Sequence, residues 1–229
     1  MTVRSPVAGT IQAAVRAVLF DLDGTLVDSA PDLAGAANDL RARHGLPALP
    51  YETLRPMVGA GARGMVGVAF GRAPGDDGFD VLREAFLARY AERMLQETAL
   101  FSAVGRVLDA LDTAGLAWGI VTNKHGRFAE PIVQALGLRA RTLVCGDTTP
   151  HAKPHPAPLL EAARRLSLAP SACIYVGDDL RDMQAGRAAG MPVLAAAWGY
   201  LGNGEAVHYW GADAVLQGPD DLLNWLQLP

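Results

Sequence analysis

The feature that most constrains the fold is the recurrence of short apolar runs separated by amphipathic segments. The amphipathic segments have helical periodicity and cover residues 104–114, 126–137, 156–167 and 179–189. The apolar runs cover residues 17–20, 118–121, 141–145, 173–176, 192–195 and 213–216. Near-continuous apolar strands that alternate with helices are typical of a parallel sheet covered by helices on both faces. The sequence therefore predicts an α/β fold built on a parallel sheet.

The stretch from about residue 30 to residue 98 breaks this rhythm and favours a helical insertion. Leu82, Phe86, Leu87 and Tyr90 recur at the spacing of one buried helix face. The helices expected in this stretch cover residues 31–44, 51–57, 60–70 and 78–97. We therefore expect a core formed by residues 1–28 and 99–229, with residues 29–98 inserted as a smaller helical domain.

The composition favours a globular protein that acts on small molecules. Half of the 229 residues are hydrophobic, which is enough for a sizeable core. The net charge is −4 and the acidic and basic residues are interspersed, so the sequence indicates neither a nucleic-acid partner nor a membrane surface. The expected partner is a small metabolite, and we expect a monomer or a homodimer.

The cysteines and the N-terminal segment favour the cytoplasm. Cys145 and Cys173 lie inside apolar runs, which predicts two buried thiols rather than a disulfide. Gln12 and Arg16 interrupt the apolar character near the N-terminus, and the sequence contains neither a clear cleavage site nor an apolar stretch of membrane-spanning length. We therefore expect a cytoplasmic protein.

Polar and charged side chains follow three of the predicted strands at the point where each strand ends. They are Asp21 and Asp23 after the first run, Thr122, Asn123 and Lys124 after the second, and Asp178, Asp179 and Asp182 after the fourth. In open α/β sheets, ligands bind just beyond the carboxyl ends of the strands. The sequence therefore predicts one site formed by side chains from distant parts of the chain.

The carboxylates of this site predict a divalent cation. Asp21 and Asp23 are two residues apart and project to the same side of an extended chain, and Asp178 and Asp182 are spaced for one face of a helix. Carboxylates packed together repel one another and take up protons unless a cation neutralises them. Mg²⁺ prefers oxygen ligands and leaves room for a phosphate oxygen. The sequence therefore favours a site for Mg²⁺ and a phosphate.

In phosphoryl transfer, each polar group in such a site can have a separate chemical role. One carboxylate can attack phosphorus to form an aspartyl phosphate, while a neighbour donates a proton to the leaving oxygen and later accepts one from water. Thr122 and backbone N–H groups near Asn123 can donate to phosphate oxygens, and Lys153 supplies a compact positive charge. Lys153 and Lys124 are the two lysines among 20 basic residues, which suits a site that needs an ammonium group.

Four motifs in order identify the chain as similar to a known superfamily. The segments DLDGTLVDS, VTNK, AKP and VGDDLRD resemble the four motifs of haloacid dehalogenase-like hydrolases, specifically of the phosphatases among them. The resemblance implies a Rossmann-like core with a small inserted helical cap that closes over the site and excludes water. Within the superfamily, the chain resembles phosphoglycolate phosphatases and, more closely, bacterial N-acetylmuramic acid 6-phosphate phosphatases. The closer resemblance rests on GARGMV, LAWGIVTNKHGRFAEPI, VGDDLRDMQAGRAAG, WGY and WGAD.

The resemblance also implies a role for each motif residue. Asp21 is expected to be the nucleophile and a Mg²⁺ ligand, and Asp23 the general acid/base that also binds Mg²⁺ through its backbone carbonyl. Asp178 is expected to be a third Mg²⁺ ligand. The remaining expected roles are phosphate binding by Thr122, Asn123 and Lys153, and orientation of Lys153 by Asp182.

Several residues near the motifs have a structural interpretation as well. Asp28 fits a helix start or hinge as well as a catalytic part, Asp178 or Asp179 could cap the next helix, and Lys124 is expected to be a solvated loop lysine or to flank the site. His125, His151 and His155 lack zinc spacing and are at best substrate contacts.

The segment 59–64 reads GxGxxG but does not predict a dinucleotide site. It follows no predicted strand, and Pro56 lies just before it. A flexible segment facing the site is the better interpretation, with Arg63 as a candidate for binding the non-phosphate end of the substrate. A solvated arginine on a helix is an equally good interpretation of Arg63.

The predicted function is Mg²⁺-dependent hydrolysis of a small phosphomonoester, 2-phosphoglycolate or N-acetylmuramic acid 6-phosphate. A dehalogenase is disfavoured because its chemistry does not need the proton-transfer residue Asp23. Two alternatives stay open, a phosphosugar mutase of the same fold and a non-catalytic protein that binds a phosphorylated metabolite. Isomerisation without phosphate release would indicate the first, and Mg²⁺-dependent turnover would exclude the second.

Overall fold

A computed structural model describes residues 15–229. Gln12, one of the two residues used to argue against a signal peptide, lies outside the described residues, whereas Arg16 lies within them and is exposed. Within residues 15–229, none of the helices combines the length and hydropathy that a membrane crossing requires.

A parallel sheet of six strands forms the centre of the part that the structure describes. Its strand order is β5-β4-β1-β6-β7-β8, and each neighbouring pair is parallel. The strands are β1 (Ala17–Phe20), β4 (Ala117–Val121), β5 (Leu143–Val144), β6 (Cys173–Gly177), β7 (Val193–Ala196) and β8 (Ala214–Leu216). Since β1 lies between β4 and β6, the ends of these three strands meet at one edge of the sheet.

Helices cover both faces of this sheet, as the sequence predicts. Val18 and Phe20 of β1 pack into one apolar cluster, and Ala17 and Leu19 pack into a second cluster on the other face. The core helices are α5 (Val104–Thr113), α6 (Gly126–Ala135), α7 (Ala157–Arg165), α8 (Leu180–Ala188) and α9 (Asp221–Leu226). The predicted α/β fold is therefore confirmed.

A helical segment is inserted between two short antiparallel strands. Strand β2 (Val27–Asp28) pairs with β3 (Ala99–Leu100), so the chain leaves and re-enters the core at one point. Between them lie α1 (Ala30–Arg43), α2 (Tyr51–Leu54), a 3-10 helix (Arg55–Ala60), α3 (Gly61–Phe70) and α4 (Phe79–Arg93). These helices form a third apolar cluster that also includes Phe128 and Tyr200 from outside the insertion.

Some predicted boundaries are wrong for identifiable reasons. The helix expected over 51–57 ends at Leu54 and continues as a 3-10 helix, where Pro56 has no N–H to donate to an α-helical hydrogen bond. The strand expected over 141–145 is limited to Leu143 and Val144 at the sheet edge. The β2–β3 pair and α9 were not predicted, because each is too short to show periodicity.

Candidate active site

The DxDG segment turns tightly at the end of β1 beside the end of β6. The backbone N–H of Asp21 donates to the carbonyl of Val176 at 2.9 Å, which continues the sheet pairing for one more residue. Gly24 has φ +84, and a Cβ at this position would lie 2.1 Å from Asp178 Oδ2. Gly24 is therefore required both by its left-handed backbone and by the close approach of a carboxylate.

Asp178 is buried in a cradle of donors at the end of β6. Thr25 Oγ1 donates to Asp178 Oδ1 at 3.0 Å, and the backbone N–H of Tyr200 donates to Oδ2 at 2.8 Å. Tyr200 follows β7, so residues beyond three different strands surround this carboxyl group. The cradle fixes the direction of Asp178 toward Asp21.

Lys153 is buried between two carboxylates. Its Nζ lies 3.0 Å from Asp21 Oδ1 and 2.8 Å from Asp182 Oδ1, and its side chain is 2% exposed. Lys153 Nζ also donates to Tyr175 Oη at 2.7 Å and to the carbonyl of Val121 at 3.0 Å. The ammonium group is thus oriented by contacts from several elements of the core.

Asn123 fixes the loop that carries Lys153. Its Nδ2 donates to the carbonyl of Lys153 at 2.9 Å, and its Oδ1 accepts from the backbone N–H of Lys153 at 2.9 Å. Thr122 is buried at the end of β4, where its Oγ1 accepts from the backbone N–H of Lys124 at 3.1 Å. The side chain of Asn123 therefore joins the loop after β4 to the loop that carries Lys153.

Burial and mutual repulsion make Asp21 and Asp178 difficult to ionise. Burial, with repulsion from Asp182 and Asp23, raises the pKa of Asp21 to about 7 despite the attraction of Lys153. Burial and the neighbouring Asp21 and Asp182 raise the pKa of Asp178 well above its usual value. Burial opposes the charge of Lys153, but attraction to Asp182 and Asp21 outweighs it and raises the pKa of that ammonium group.

The oxygen atoms present fit a divalent metal ion. Asp21, Asp178 and Asp182 each offer a carboxylate oxygen, and these oxygens lie within 4.8 Å of one another. Asp182 already accepts from Lys153 through Oδ1 and from the backbone N–H of Asp179 through Oδ2. A hard cation such as Mg²⁺ takes oxygen ligands and would relieve the repulsion between Asp21 and Asp178.

Asp23 is bound by Lys124, so the expectation of a solvated lysine is wrong and the alternative of a lysine beside the site agrees with the structure. Lys124 Nζ lies 2.9 Å from Asp23 Oδ1 and 3.1 Å from Oδ2. The side chain of Lys124 is 8% exposed, because Tyr90 of α4 covers it with its ring centroid 4.8 Å from Nζ. Ser29 Oγ donates to the same carboxylate. Packing by the inserted helices is what removes Lys124 from solvent.

The predicted helix face shared by Asp178 and Asp182 is wrong, because α8 begins after Asp178. Asp179 is the N-cap residue, and its side chain accepts from the backbone N–H of Arg181 at 2.9 Å. Asp182, in the first turn of α8, accepts from the backbone N–H of Asp179, which completes a capping box. The turn into the helix brings Asp178 and Asp182 together, so the helix-cap interpretation holds for Asp179.

A cavity of about 570 Å³ lies between these residues and the inserted helices. Gly59–Ala62 and Arg83 line it from the insertion, and Arg127 and Arg181 line it from the core. The site residues that line it are Asp21, Asp23, Thr122, Asn123, Lys124, Lys153, Asp178, Asp179 and Asp182. The strand-end residues predicted from the sequence are thus brought to one cavity.

Arg63 does not line this cavity, unlike its neighbours Gly59–Ala62. It is exposed on α3, whose buried residues include Gly64, Met65 and Val66. The expectation that Arg63 faces the site therefore has to be corrected. Its position on the helix places Arg63 on the outer surface of the insertion. The arginine of the insertion that does line the cavity is Arg83 on α4.

The remaining candidates have local roles in the structure. Asp28 lies in β2 and accepts from Tyr200 Oη at 3.0 Å, at the junction between core and insertion. His125 lines the cavity, and its Nε2 lies 3.2 Å from Asp147 Oδ2. The rings of His151 and His155 pack together at 4.4 Å between centroids.

Sequence reasoning missed several residues that support the site. Tyr200 lies beyond β7, so the strand-end argument would have found it if applied to every strand. The low lysine content already marked Lys124. The unpredicted supporting residues are Thr25, Ser29, Tyr90, Tyr175 and Tyr200.

Comparison with known proteins agrees with this geometry. The family model described as haloacid dehalogenase-like hydrolase matches residues 18–196. The chain therefore belongs to the haloacid dehalogenase-like hydrolase family.

Two relatives and one solved structure that the chain is similar to carry phosphatase names. It is 43% identical over 214 residues to the N-acetylmuramic acid 6-phosphate phosphatase of Pseudomonas aeruginosa, covering 93% of this chain and 95% of that protein. It is 46% identical over 210 residues to a phosphoglycolate phosphatase of Xanthomonas campestris pv. campestris, covering 90% and 94% respectively. A crystal structure described as a predicted phosphoglycolate phosphatase from Haemophilus somnus 129pt has a TM-score of 0.82 at 28% identity, covering 92% of this chain and 97% of that one.

Proposed function

We propose that this protein is a Mg²⁺-dependent phosphomonoesterase that works through an aspartyl phosphate on Asp21. The observation that carries the proposal is the meeting of Asp21, Lys153 and Asp178 at one sheet edge, inside a cavity that Asp23 also lines. Membership of a hydrolase family whose relatives here are named phosphatases supports the same reaction.

The two aspartates of the DxD segment divide the reaction between them. Asp21 attacks phosphorus, so that an Asp21–phosphorus bond forms while the bond from phosphorus to the leaving oxygen breaks. Asp23 gives its proton to that leaving oxygen. In the second step, water attacks phosphorus and gives a proton back to Asp23, and the release of phosphate restores the Asp21 carboxylate.

The other residues of the site hold the phosphate. Thr122 and the backbone N–H groups near Asn123 donate to phosphate oxygens, and Lys153 stabilises the negative charge that develops during transfer. Asp21, Asp178 and the backbone carbonyl of Asp23 would hold Mg²⁺, which when bound screens the carboxylates from the incoming phosphate dianion. Asp182 holds Lys153 in place at 2.8 Å.

The inserted helices act as a cap over this site. We assign residues 29–98 to the cap domain and, within the part of the chain that the structure describes, residues 15–28 and 99–229 to the core domain. The paired strands β2 and β3 support this division, because both chain crossings lie in one short ribbon. Arg181 of α8 donates to the carbonyl of Gly59 at 2.5 Å, which supports a closed arrangement that excludes water.

The cavity favours N-acetylmuramic acid 6-phosphate as the substrate. Its volume of about 570 Å³ falls within the range of roughly 300–1,000 Å³ for sites that enclose drug-sized molecules. A sugar phosphate fills such a space better than 2-phosphoglycolate, the second candidate, which the 46% identical relative favours. Both molecules carry a carboxylate, and Arg127 lines the cavity as a cation that could bind it. Arg83 lines the cavity as well, and it would have to exchange its ion pair with Glu84, at 2.7 Å, for the substrate carboxylate.

The free cysteines support a cytoplasmic location. Cys145 and Cys173 are buried free thiols. Burial raises the pKa of each thiol to about 11, which keeps both in the unreactive protonated form. Unpaired cysteines are typical of proteins from reducing compartments.

A phosphate-release assay with and without Mg²⁺ tests this function. The substrates compared by kcat/KM are N-acetylmuramic acid 6-phosphate, 2-phosphoglycolate, common sugar phosphates and an aryl phosphate. We expect turnover that stops after chelation and returns with Mg²⁺, with the highest kcat/KM for N-acetylmuramic acid 6-phosphate. Undiminished activity after exhaustive chelation, or isomerisation of a sugar phosphate without phosphate release, would contradict the proposal.

A further inference from the structure

Lys124, like Lys153, is buried against a carboxylate, although the proposed mechanism assigns it no role. Lys124 Nζ reaches both oxygens of Asp23, at 2.9 and 3.1 Å. An ammonium group that donates to both oxygens restricts rotation of the carboxylate about its last side-chain bond. Lys124 therefore determines where the Asp23 oxygens lie.

Ser29 holds the same carboxylate from a second segment. Its Oγ donates to Asp23 Oδ1, and its backbone N–H donates to Tyr200 Oη at 2.8 Å. Asp23 is thus held from the loop after β4 and from the junction that leads into α1. These two contacts fix the side chain of a residue whose own segment is a turn.

Tyr90 of α4 completes the surroundings of Lys124. Its ring centroid lies 4.8 Å from Lys124 Nζ and 5.4 Å from the ring of Phe128 on α6. A cation facing an aromatic ring is attracted to it, and more strongly when water is excluded. The lysine is thus enclosed between the core and the inserted helices.

We propose that Lys124 is a positioning residue that directs the Asp23 carboxylate toward the leaving oxygen of the substrate. The inference rests on the proposed function, because Asp23 acts on a leaving oxygen only if the protein transfers phosphoryl groups. A proton donor must lie within hydrogen-bond reach of its target, and a misplacement of about 1 Å can cost about 10²-fold in rate. Lys124 supplies this alignment, whereas Lys153 acts on the phosphate itself.

The test compares two esters with different leaving groups. Lys124→Met removes the ammonium group and keeps the length of the side chain. We expect kcat for an alkyl phosphate to fall about 10- to 100-fold and kcat for an aryl phosphate to fall less than about threefold, because an aryl leaving group needs little protonation. In an Asp23→Asn background, the same substitution should add less than about a threefold further loss, because the group it positions is already gone.

Matched variants separate positioning from folding. Arg139→Met removes an exposed cation outside the site and should leave both rates unchanged. Thermal unfolding shows whether each variant is folded, and Lys124→Gln serves as a second variant that loses the charge but keeps a hydrogen-bond donor. We expect Lys124→Gln to show the same preference for the aryl ester as Lys124→Met.

The outcomes distinguish this inference from the proposed function. Equal losses for both esters in a folded variant, or a full further loss in the Asp23→Asn background, would overturn the positioning role alone. Unchanged alkyl phosphate turnover in Lys124→Met would do the same. A wild-type protein that releases phosphate from neither ester would overturn the proposed function, and this inference with it.

Discussion

The two lysines of this protein occupy contrasting environments on the same cavity. Lys153 is surrounded by core residues, with Asp21, Asp182 and Tyr175 as its partners. Lys124 binds Asp23 from the core side and faces Tyr90 from the inserted helices. The named partners of Lys153 all lie outside the inserted helices. Lys124, in contrast, has one partner in the core, Asp23, and one in the insertion, Tyr90.

This difference separates three parts of the proposed chemistry. The edge of the sheet carries the groups that act on any phosphate ester. The contact between core and insertion carries the groups that act on the leaving oxygen. The insertion contributes Arg83, which lines the same cavity and pairs with Glu84. Substitutions in the three regions should therefore differ in how strongly their effects depend on the substrate.

The largest effect is expected at the edge of the sheet. Asp21→Asn should lower phosphate release from alkyl and aryl phosphates alike, on the order of 10⁴-fold or more, because an amide cannot form the aspartyl phosphate. Steady-state kinetics on both esters, with circular dichroism as the check on folding, measures this. Appreciable residual turnover with either ester would contradict the role of Asp21 as nucleophile.

Removal of the core lysine should cost stability as well as activity. In Lys153→Met, Asp21 and Asp182 lose their buried partner, and the free energy of unfolding should fall by about 3–5 kcal/mol. Lys124→Met should cost less, because Asp23 is 16% exposed whereas Asp182 is 1% exposed. Urea denaturation without Mg²⁺ measures the loss in free energy of unfolding for each variant. Equal losses, or a larger loss for Lys124→Met, would contradict the idea that Lys153 has the more deeply buried partners.

Substitution of Asp23, at the contact between core and insertion, should lower the rate by a factor that depends on the leaving group of the substrate. Asp23→Asn should lower kcat for an alkyl phosphate about 10²- to 10⁴-fold, the usual contribution of a general acid or base. The loss for an aryl phosphate should be much smaller, since its leaving group departs without a proton. The ratio of the two losses is the quantity to measure. A ratio near one would contradict the role of Asp23 as the proton donor to the leaving oxygen.

The insertion should affect the choice of substrate. Arg83→Ala should raise KM for a carboxylate-bearing substrate about tenfold and leave its kcat unchanged, because Arg83 would bind the substrate equally well before and during the reaction. The KM for an aryl phosphate without a carboxylate should not change. Arg63→Ala is the matched control, since Arg63 is exposed on α3 outside the cavity. A larger rise in KM for Arg63→Ala than for Arg83→Ala would instead support Arg63 as the residue that binds the non-phosphate end of the substrate.

The smallest effect is expected at Tyr90. Tyr90→Leu removes the ring that faces Lys124 and should lower alkyl phosphate turnover by about two- to fivefold, because Lys124 loses its cation–π contact but keeps its contacts with Asp23. Tyr90→Phe keeps the ring and should retain wild-type turnover. If the two variants behave alike, the ring does not support Lys124.

The α/β fold and the residues at the strand ends could be predicted because they follow from local patterns. Apolar runs marked β1, β4 and β6, and parallel pairing brings the ends of these strands to one edge. The order of the strands was not predicted, and Asp21, Thr122 and Asp178 are neighbours because β1 lies between β4 and β6. The glycine of the DxDG segment is explained by the structure in the same terms, through its contact with Asp178.

The residues that could not be predicted depend on packing between the two parts of the chain. Lys124 is buried only because Tyr90, distant in sequence, packs over it. Arg63 and Arg83 have the same chemistry, and the helical phase of α3 and α4 decides which of them reaches the cavity. The 3-10 segment Arg55–Ala60 precedes α3, and its start at Arg55 was not apparent from periodicity. Such phases are set by tertiary contacts rather than by local sequence.

The most direct measurement is to trap the covalent intermediate. The wild-type protein would be mixed with Mg²⁺ and substrate, quenched in acid during steady turnover, digested and analysed by mass spectrometry of the peptide that contains residues 17–29. We expect a phosphoryl group on Asp21, absent when substrate or Mg²⁺ is omitted. Rapid turnover with Asp21 unmodified, or with phosphate on Asp23 instead, would contradict the account.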